Sequence, residues 1–117
     1  MLTEAATQRT LAHPERPEIR LHEVLAALAD PVRLQIVRRL ALAAGELACS
    51  TFDLPVTKST TTHHFRVLRE SGVIRQTYRG TAKMNLLREA ALAELFPGLL
   101  PSVLAAAAAE EARGTAG

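Results

Sequence analysis

Tryptophan is missing from this chain, and aromatic residues of every kind make up 3% of it. A core without large rings has to be assembled from Leu, Val, Ile and Ala, a palette that favours helices. Cysteine occurs once, as Cys49, which excludes an intrachain disulfide and fits a reducing compartment. No apolar run reaches the ~18 residues of a membrane span, and the alanine run 105–109 is too short and too weakly apolar. Residues 1–20 hold no signal-peptide-like stretch. These absences give the expectation of a cytoplasmic chain without a membrane partner.

Marks of catalysis are missing too. Cys49 with His63 or His64 is the one nucleophile–base candidate, and nothing near it suggests an oxyanion hole. There is no phosphate-binding glycine loop and no glycosidase-like carboxylate pair. The expectation is a protein that is not an enzyme and needs no cofactor. His63 and His64 are neighbours on a helix, about 100° apart, so they are poorly placed to chelate one metal ion.

What is present is 117 residues, one domain's worth, with 48% hydrophobic residues. The net charge is only +2, but it is unevenly laid out. Lys58, Arg66, Arg69, Arg75, Arg79, Lys83 and Arg88 face one anion, Glu70, within a single stretch. The remainder of the chain is net acidic. A local basic face of this kind is what a polyanion partner requires.

Pattern along the chain divides it into an arm at 1–18, a domain at 19–113 and a tail at 114–117. Residues 1–18, with Pro14 and Pro17, show little periodicity and read as a flexible arm. Helical spacing of Ile19, Val24, Leu25 and Leu28 gives a first helix. Asp30-Pro31 is a strong start for a second, because Asp caps and Pro suits the first helical position. Residues 46–54 read as a short third helix, closed by Pro55. Thr57 caps a fourth over 58–70, ended by Ser71-Gly72. The period then changes to two, predicting a hairpin over 73–87 with its turn at Arg79-Gly80. Helical pattern returns at 88–96 and 99–112. A short helix, a tight turn, a further helix and a hairpin make a winged helix-turn-helix: mainly α with a small β-hairpin.

The helix at 57–70 is chemically odd. It opens Thr57-Lys58-Ser59-Thr60-Thr61-Thr62-His63-His64, and the β-branched Thr residues in a row cost roughly 0.5 kcal/mol each against Ala. Short hydroxyls, imidazoles and a lysine near a helix start suit close approach to a nucleic-acid groove and its phosphates. The hydroxyls also suit capping of local backbone groups.

Two segments, Ala27-Leu28-Ala29-Asp30-Pro31-Val32-Arg33-Leu34-Gln35-Ile36-Val37 and Ser59-Thr60-Thr61-Thr62-His63-His64-Phe65-Arg66-Val67-Leu68-Arg69-Glu70-Ser71-Gly72-Val73-Ile74, resemble the ArsR-type (arsenical-resistance repressor) winged-helix regulators. Arg79-Gly80-Thr81 falls where that family carries its wing tip. The resemblance covers roughly 21–87. It implies a mostly bacterial homodimer that binds double-stranded operator DNA, is a repressor, and in many members is released by a small-molecule effector. It implies a dimer interface made by the terminal helices. It places Ser59, Thr60, Thr62, His63 and Arg66 on the DNA-facing side of the recognition helix, Lys58 on phosphate, and Arg79 and Lys83 in the wing. The Cys-x-Cys pair of the family's metal sensors is not matched, since only Cys49 stands in that region, and 99–112 holds no histidine. No metal site is therefore expected. A winged helix used only for protein contact, or a metal- or thiol-responsive repressor, are the alternatives.

Overall fold

The computed structural model describes residues 8–116. Strand β1 (Gln8–Thr10) and a 3-10 turn (Arg16–Glu18) lead into helices α1 (Leu21–Leu28) and α2 (Pro31–Ala43). A short strand β2 (Leu47–Ala48) and a second 3-10 turn (Cys49–Thr51) precede α3 (Lys58–Glu70). Strands β3 (Ile74–Arg79) and β4 (Ala82–Leu87) form the hairpin, and α4 (Glu89–Leu95) and α5 (Leu99–Ala116) follow. The four strands make one antiparallel sheet in the order β1-β3-β4-β2.

Local chemistry explains where the elements start and stop. The Asp30 carboxylate accepts from the backbone N–H of Val32 at 2.8 Å and of Arg33 at 3.1 Å, and Pro31 takes the first position of α2. Ala44 ends α2 in the left-handed region at φ 53°. Gly72 ends α3 at φ 91°, and a Cβ there would lie 2.6 Å from the Ile19 side chain. Both conformation and space therefore require glycine at that position. The hairpin loop is two residues, Gly80 with φ 64° and Thr81 without a positive φ, the pattern of a II′ turn.

The core lies where α1, α2, α3 and the hairpin converge. Ile36, Val37, Leu68, Val73 and Ile74 are fully buried, with Val24, Leu40 and Phe65 beside them. Leu92 of α4 and Leu100 of α5 close one side. The inward side of α3 buries Phe65 and Leu68, with His64 next to them, while Thr61 is half-buried.

Three expectations change. The segment read as a short helix over 46–54 is instead β2 and a 3-10 turn, because Leu47 and Ala48 pair with Asn85 and Met84 of the hairpin. The part of the arm within the described residues is not free. Gln8–Thr10 adds to the hairpin edge, and Arg88 Nη1 donates to the Pro14 carbonyl at 2.7 Å. Residues 1–7 lie outside the described residues. The tail also differs: α5 continues through residue 114 to Ala116, and Gly117 lies outside the described residues. No single helix among the described residues is long and apolar enough to cross a membrane. α4 and α5 reach that composition together but are bent by 111°.

Candidate nucleic-acid interface

α3 is amphipathic in an unusual sense: one side is core, and the other is small hydroxyls, imidazole and cation. Thr57 caps it, its Oγ1 accepting from the Thr60 N–H at 3.3 Å. Thr61 and Thr62 donate their hydroxyls to the carbonyls four residues back, Thr57 and Lys58, at 3.0 and 3.1 Å. These bonds use the hydroxyl protons and leave oxygen lone pairs and methyl groups available. No acidic residue sits in the first turn, so the positive end of the helix dipole is not offset there.

Of the sequence-predicted residues, Lys58, Ser59, Thr62, His63 and Arg66 are exposed on α3, and Thr60 is half-buried. Their hydrogen bonds stay within the helix and its cap. Ser59 Oγ lies 3.3 Å from Thr57 Oγ1, and Thr60 Oγ1 accepts from Thr57 Oγ1 at 2.9 Å. Arg66 Nη2 stands 3.3 Å from His63 Nδ1. A guanidinium has only donors, so Nδ1 accepts in this contact and the imidazole proton sits on Nε2. His64 is turned the other way: it is buried, with Arg33 Nη1 at 3.1 Å and the Asp30 carboxylate at 4.0 Å from Nδ1.

The wing tip carries an ion pair. Arg79 is exposed, but its Nε and Nη2 each donate to Glu46 at 2.7 Å, a bidentate pair. The guanidinium's hydrogen bonds, then its charge, hold the Glu46 carboxyl below the usual range against the opposing effect of burial. Arg79 is therefore already partnered within the chain. Lys83 is half-buried, with its ammonium 5.8 Å from the Tyr78 ring centroid. Arg9, which local pattern did not single out, stacks on the same ring at 5.3 Å.

The structure brings Lys58, Thr62 and Lys83 to one groove between the start of α3 and the wing. Arg79 does not line it. A buried polar chain fixes the two walls relative to each other. Arg69 Nη1 at the end of α3 donates to Gln76 Oε1 at 2.7 Å, and Gln76 Nε2 donates to Asn85 Oδ1 at 2.8 Å. Asn85 Nδ2 then donates to the Leu47 carbonyl at 3.1 Å and lies 3.2 Å from Cys49 Sγ. Gln76 and Asn85 are both fully buried. Their sequence signal was a polar residue at an inward, period-two position of each strand. Among the described residues, no group of three His, Cys, Asp or Glu side chains is placed to hold a metal.

Comparison with known proteins agrees with this geometry. Residues 28–77 match the helix-turn-helix domain family. The chain is 31% identical over 83 residues to the HTH-type transcriptional regulator YceK of Bacillus subtilis, covering 69% of this chain and 83% of that protein. It is 32% identical over 60 residues to the HTH-type regulator MJ1325 of Methanocaldococcus jannaschii, covering 50% and 67%. Its fold is similar to the crystal structure of the ArsR family transcriptional regulator RHA00566, with TM-score 0.56 and 24% identity over 75% of this chain and 92% of that one. It is also similar to the transcriptional repressor BigR from Xylella fastidiosa, with TM-score 0.52 and 27% identity over 65% and 85%.

Proposed function

Since the chain belongs to the HTH-type transcriptional regulators, we propose that it is an ArsR-type winged-helix protein, a cytoplasmic, homodimeric repressor reading operator DNA with the outer face of α3. One observation carries this reading: Ser59, Thr62, His63 and Arg66 stand exposed, with hydrogen bonds that never leave α3 and its cap. In the major groove, His63 donates through Nε2 to a base-edge acceptor, and the Thr62 methyl suits a thymine methyl. Lys58 at the positive helix end and Lys83 across the groove take the flanking phosphates. Arg79 contributes to phosphate only after leaving Glu46.

The twofold partner sits on α1 and α5. Leu21 and Leu25 are 46% and 44% exposed and lie four residues apart on one helix face. Exposed alanines of α5, Ala105, Ala108, Ala109 and Ala112, offer a smooth apolar surface for close helix contact.

Selection of bound duplexes from a random pool, followed by footprinting, tests the DNA reading: a protected site with two related half-sites supports it, and unselective or absent binding rejects it. Sedimentation tests the assembly, where about twice the 12.6 kDa chain mass is expected and a monomer at micromolar concentration rejects the dimer.

A further inference from the structure

The groove between α3 and the wing has a floor that a DNA strand does not use. Phe52 and Phe65 meet edge to face there with ring centroids 5.3 Å apart, and half-buried Leu54 and Val56 extend the apolar surface. The space above them is about 670 Å³, within the range of small-molecule sites. A sugar–phosphate backbone crossing the rim meets the cations, but a floor of phenyl and leucyl groups gives a hydrated phosphate nothing in exchange for its water. The rim carries Lys58 and Lys83 against one carboxylate, Asp53. Two cations against one anion leave room for a single negative charge.

We propose that this cavity is an effector site for a small amphipathic monocarboxylate. The apolar body, one ring or a short chain, rests on Phe52, Leu54 and Val56. The carboxylate sits between Lys58 and Lys83. The site itself stands on the cavity's own chemistry. Its consequence rests on the DNA reading above: the ligand takes the two ammonium groups that would hold phosphate, so ligand and DNA exclude one another. Release of the operator then needs no metal and no change of fold.

The test uses 4-phenylbutyrate as probe, with 4-phenylbutanol as its uncharged counterpart. Tyr78 lines the cavity, is the only tyrosine, and has no tryptophan to obscure it. Intrinsic fluorescence of the whole protein therefore reports this site directly. A saturable one-per-chain change is expected with phenylbutyrate, and binding at least tenfold weaker with phenylbutanol. Lys83→Gln should weaken phenylbutyrate about tenfold. Ser50→Phe, at an exposed residue of the lining, should block it, with circular dichroism confirming the fold. At ten times its own Kd, phenylbutyrate should lower duplex affinity about tenfold for each subunit by simple competition, and so about a hundredfold for a dimer on two half-sites. No saturable change at millimolar concentration, equal binding of the alcohol, or unaltered binding by both variants would overturn the site. Binding that leaves duplex affinity unchanged overturns the competition. If phenylbutyrate binds while no duplex is bound under any condition, the site stands and the DNA reading fails.

Discussion

Helices α2 and α3 are thirteen residues each and both begin on a side-chain cap, Asp30 and Thr57. They treat their polar residues in opposite ways. Arg33 of α2 donates Nε to the Ala27 carbonyl at 2.8 Å and Nη2 to the Ala26 carbonyl at 3.3 Å, with Nη1 on His64. Arg38 pairs with Glu111 at 2.6 Å, and Arg39 stacks on Phe52 at 5.2 Å. Each of these cations ties α2 to another part of the molecule. On α3, by contrast, the polar residues of the outer face bond only to their own helix. α2 is a beam, and α3 is a surface held out by that beam. The poor helix propensity of the Thr-rich opening of α3 is offset by Phe65 and Leu68 packed behind it, and on the proposed reading that face serves DNA.

The comparison should vanish at the inner faces, where the largest effects lie. Leu40→Ala and Leu68→Ala remove fully enclosed side chains, and each should cost about 2–5 kcal/mol in urea denaturation. A cost near zero for Leu68 alone would mean that α3 is not packed as described.

At the helix starts the effects are smaller and differ in pH dependence. Asp30→Ala and Thr57→Ala should each cost about 1 kcal/mol as lost caps. Burial pushes the Asp30 carboxyl up, but the N–H groups of Arg33 and Val32, with the charges of His64 and Arg33, outweigh it and hold the group below its usual range. A carboxyl lowered on folding contributes fully above its unfolded value and loses that contribution as pH falls through the folded one. The gap between wild type and Asp30→Ala should therefore narrow in acid, below about pH 4. Thr57 does not titrate, so its gap should stay constant. Parallel behaviour of the two variants would remove the distinction between the caps.

Much of this was legible locally. Asp30-Pro31 announces α2, the hydroxyl run announces α3, and the change of period after Gly72 announces the hairpin. What local pattern hides is pairing across long stretches of chain. Thr10 Oγ1 meets Thr77 Oγ1 at 3.2 Å across 67 positions. Glu46 meets Arg79 across 33. Leu47, Phe52 and Leu54 are apolar residues that a short helix could pack, yet the partner strand β4 draws Leu47 and Ala48 into the sheet. The wing-tip ion pair is hidden for the same reason: no property of Arg79-Gly80-Thr81 itself reveals Glu46.

That hidden pair supplies the smallest predicted effect. Lys83→Ala should reduce the slope of log K against log salt by about 1 per subunit, as for one phosphate contact. Arg79→Ala should reduce it less, because Glu46 already holds that guanidinium. Glu46→Gln should release Arg79 and modestly strengthen binding to any duplex. Equal slopes for the two wing variants would return Arg79 to the role its position first suggested.

The most direct test of the contrast between the two helices is a titration of His63→Ala and Arg38→Ala on selected and scrambled duplexes at several salt concentrations. His63→Ala should cost about 1–3 kcal/mol on the selected site and less on the scrambled one, so that the specificity ratio falls while the salt slope stays as in wild type. Arg38→Ala should leave that ratio unchanged in protein that remains folded. Loss of the ratio in Arg38→Ala, or equal weakening of both duplexes by His63→Ala, would contradict the assignment of DNA reading to the outer face of α3.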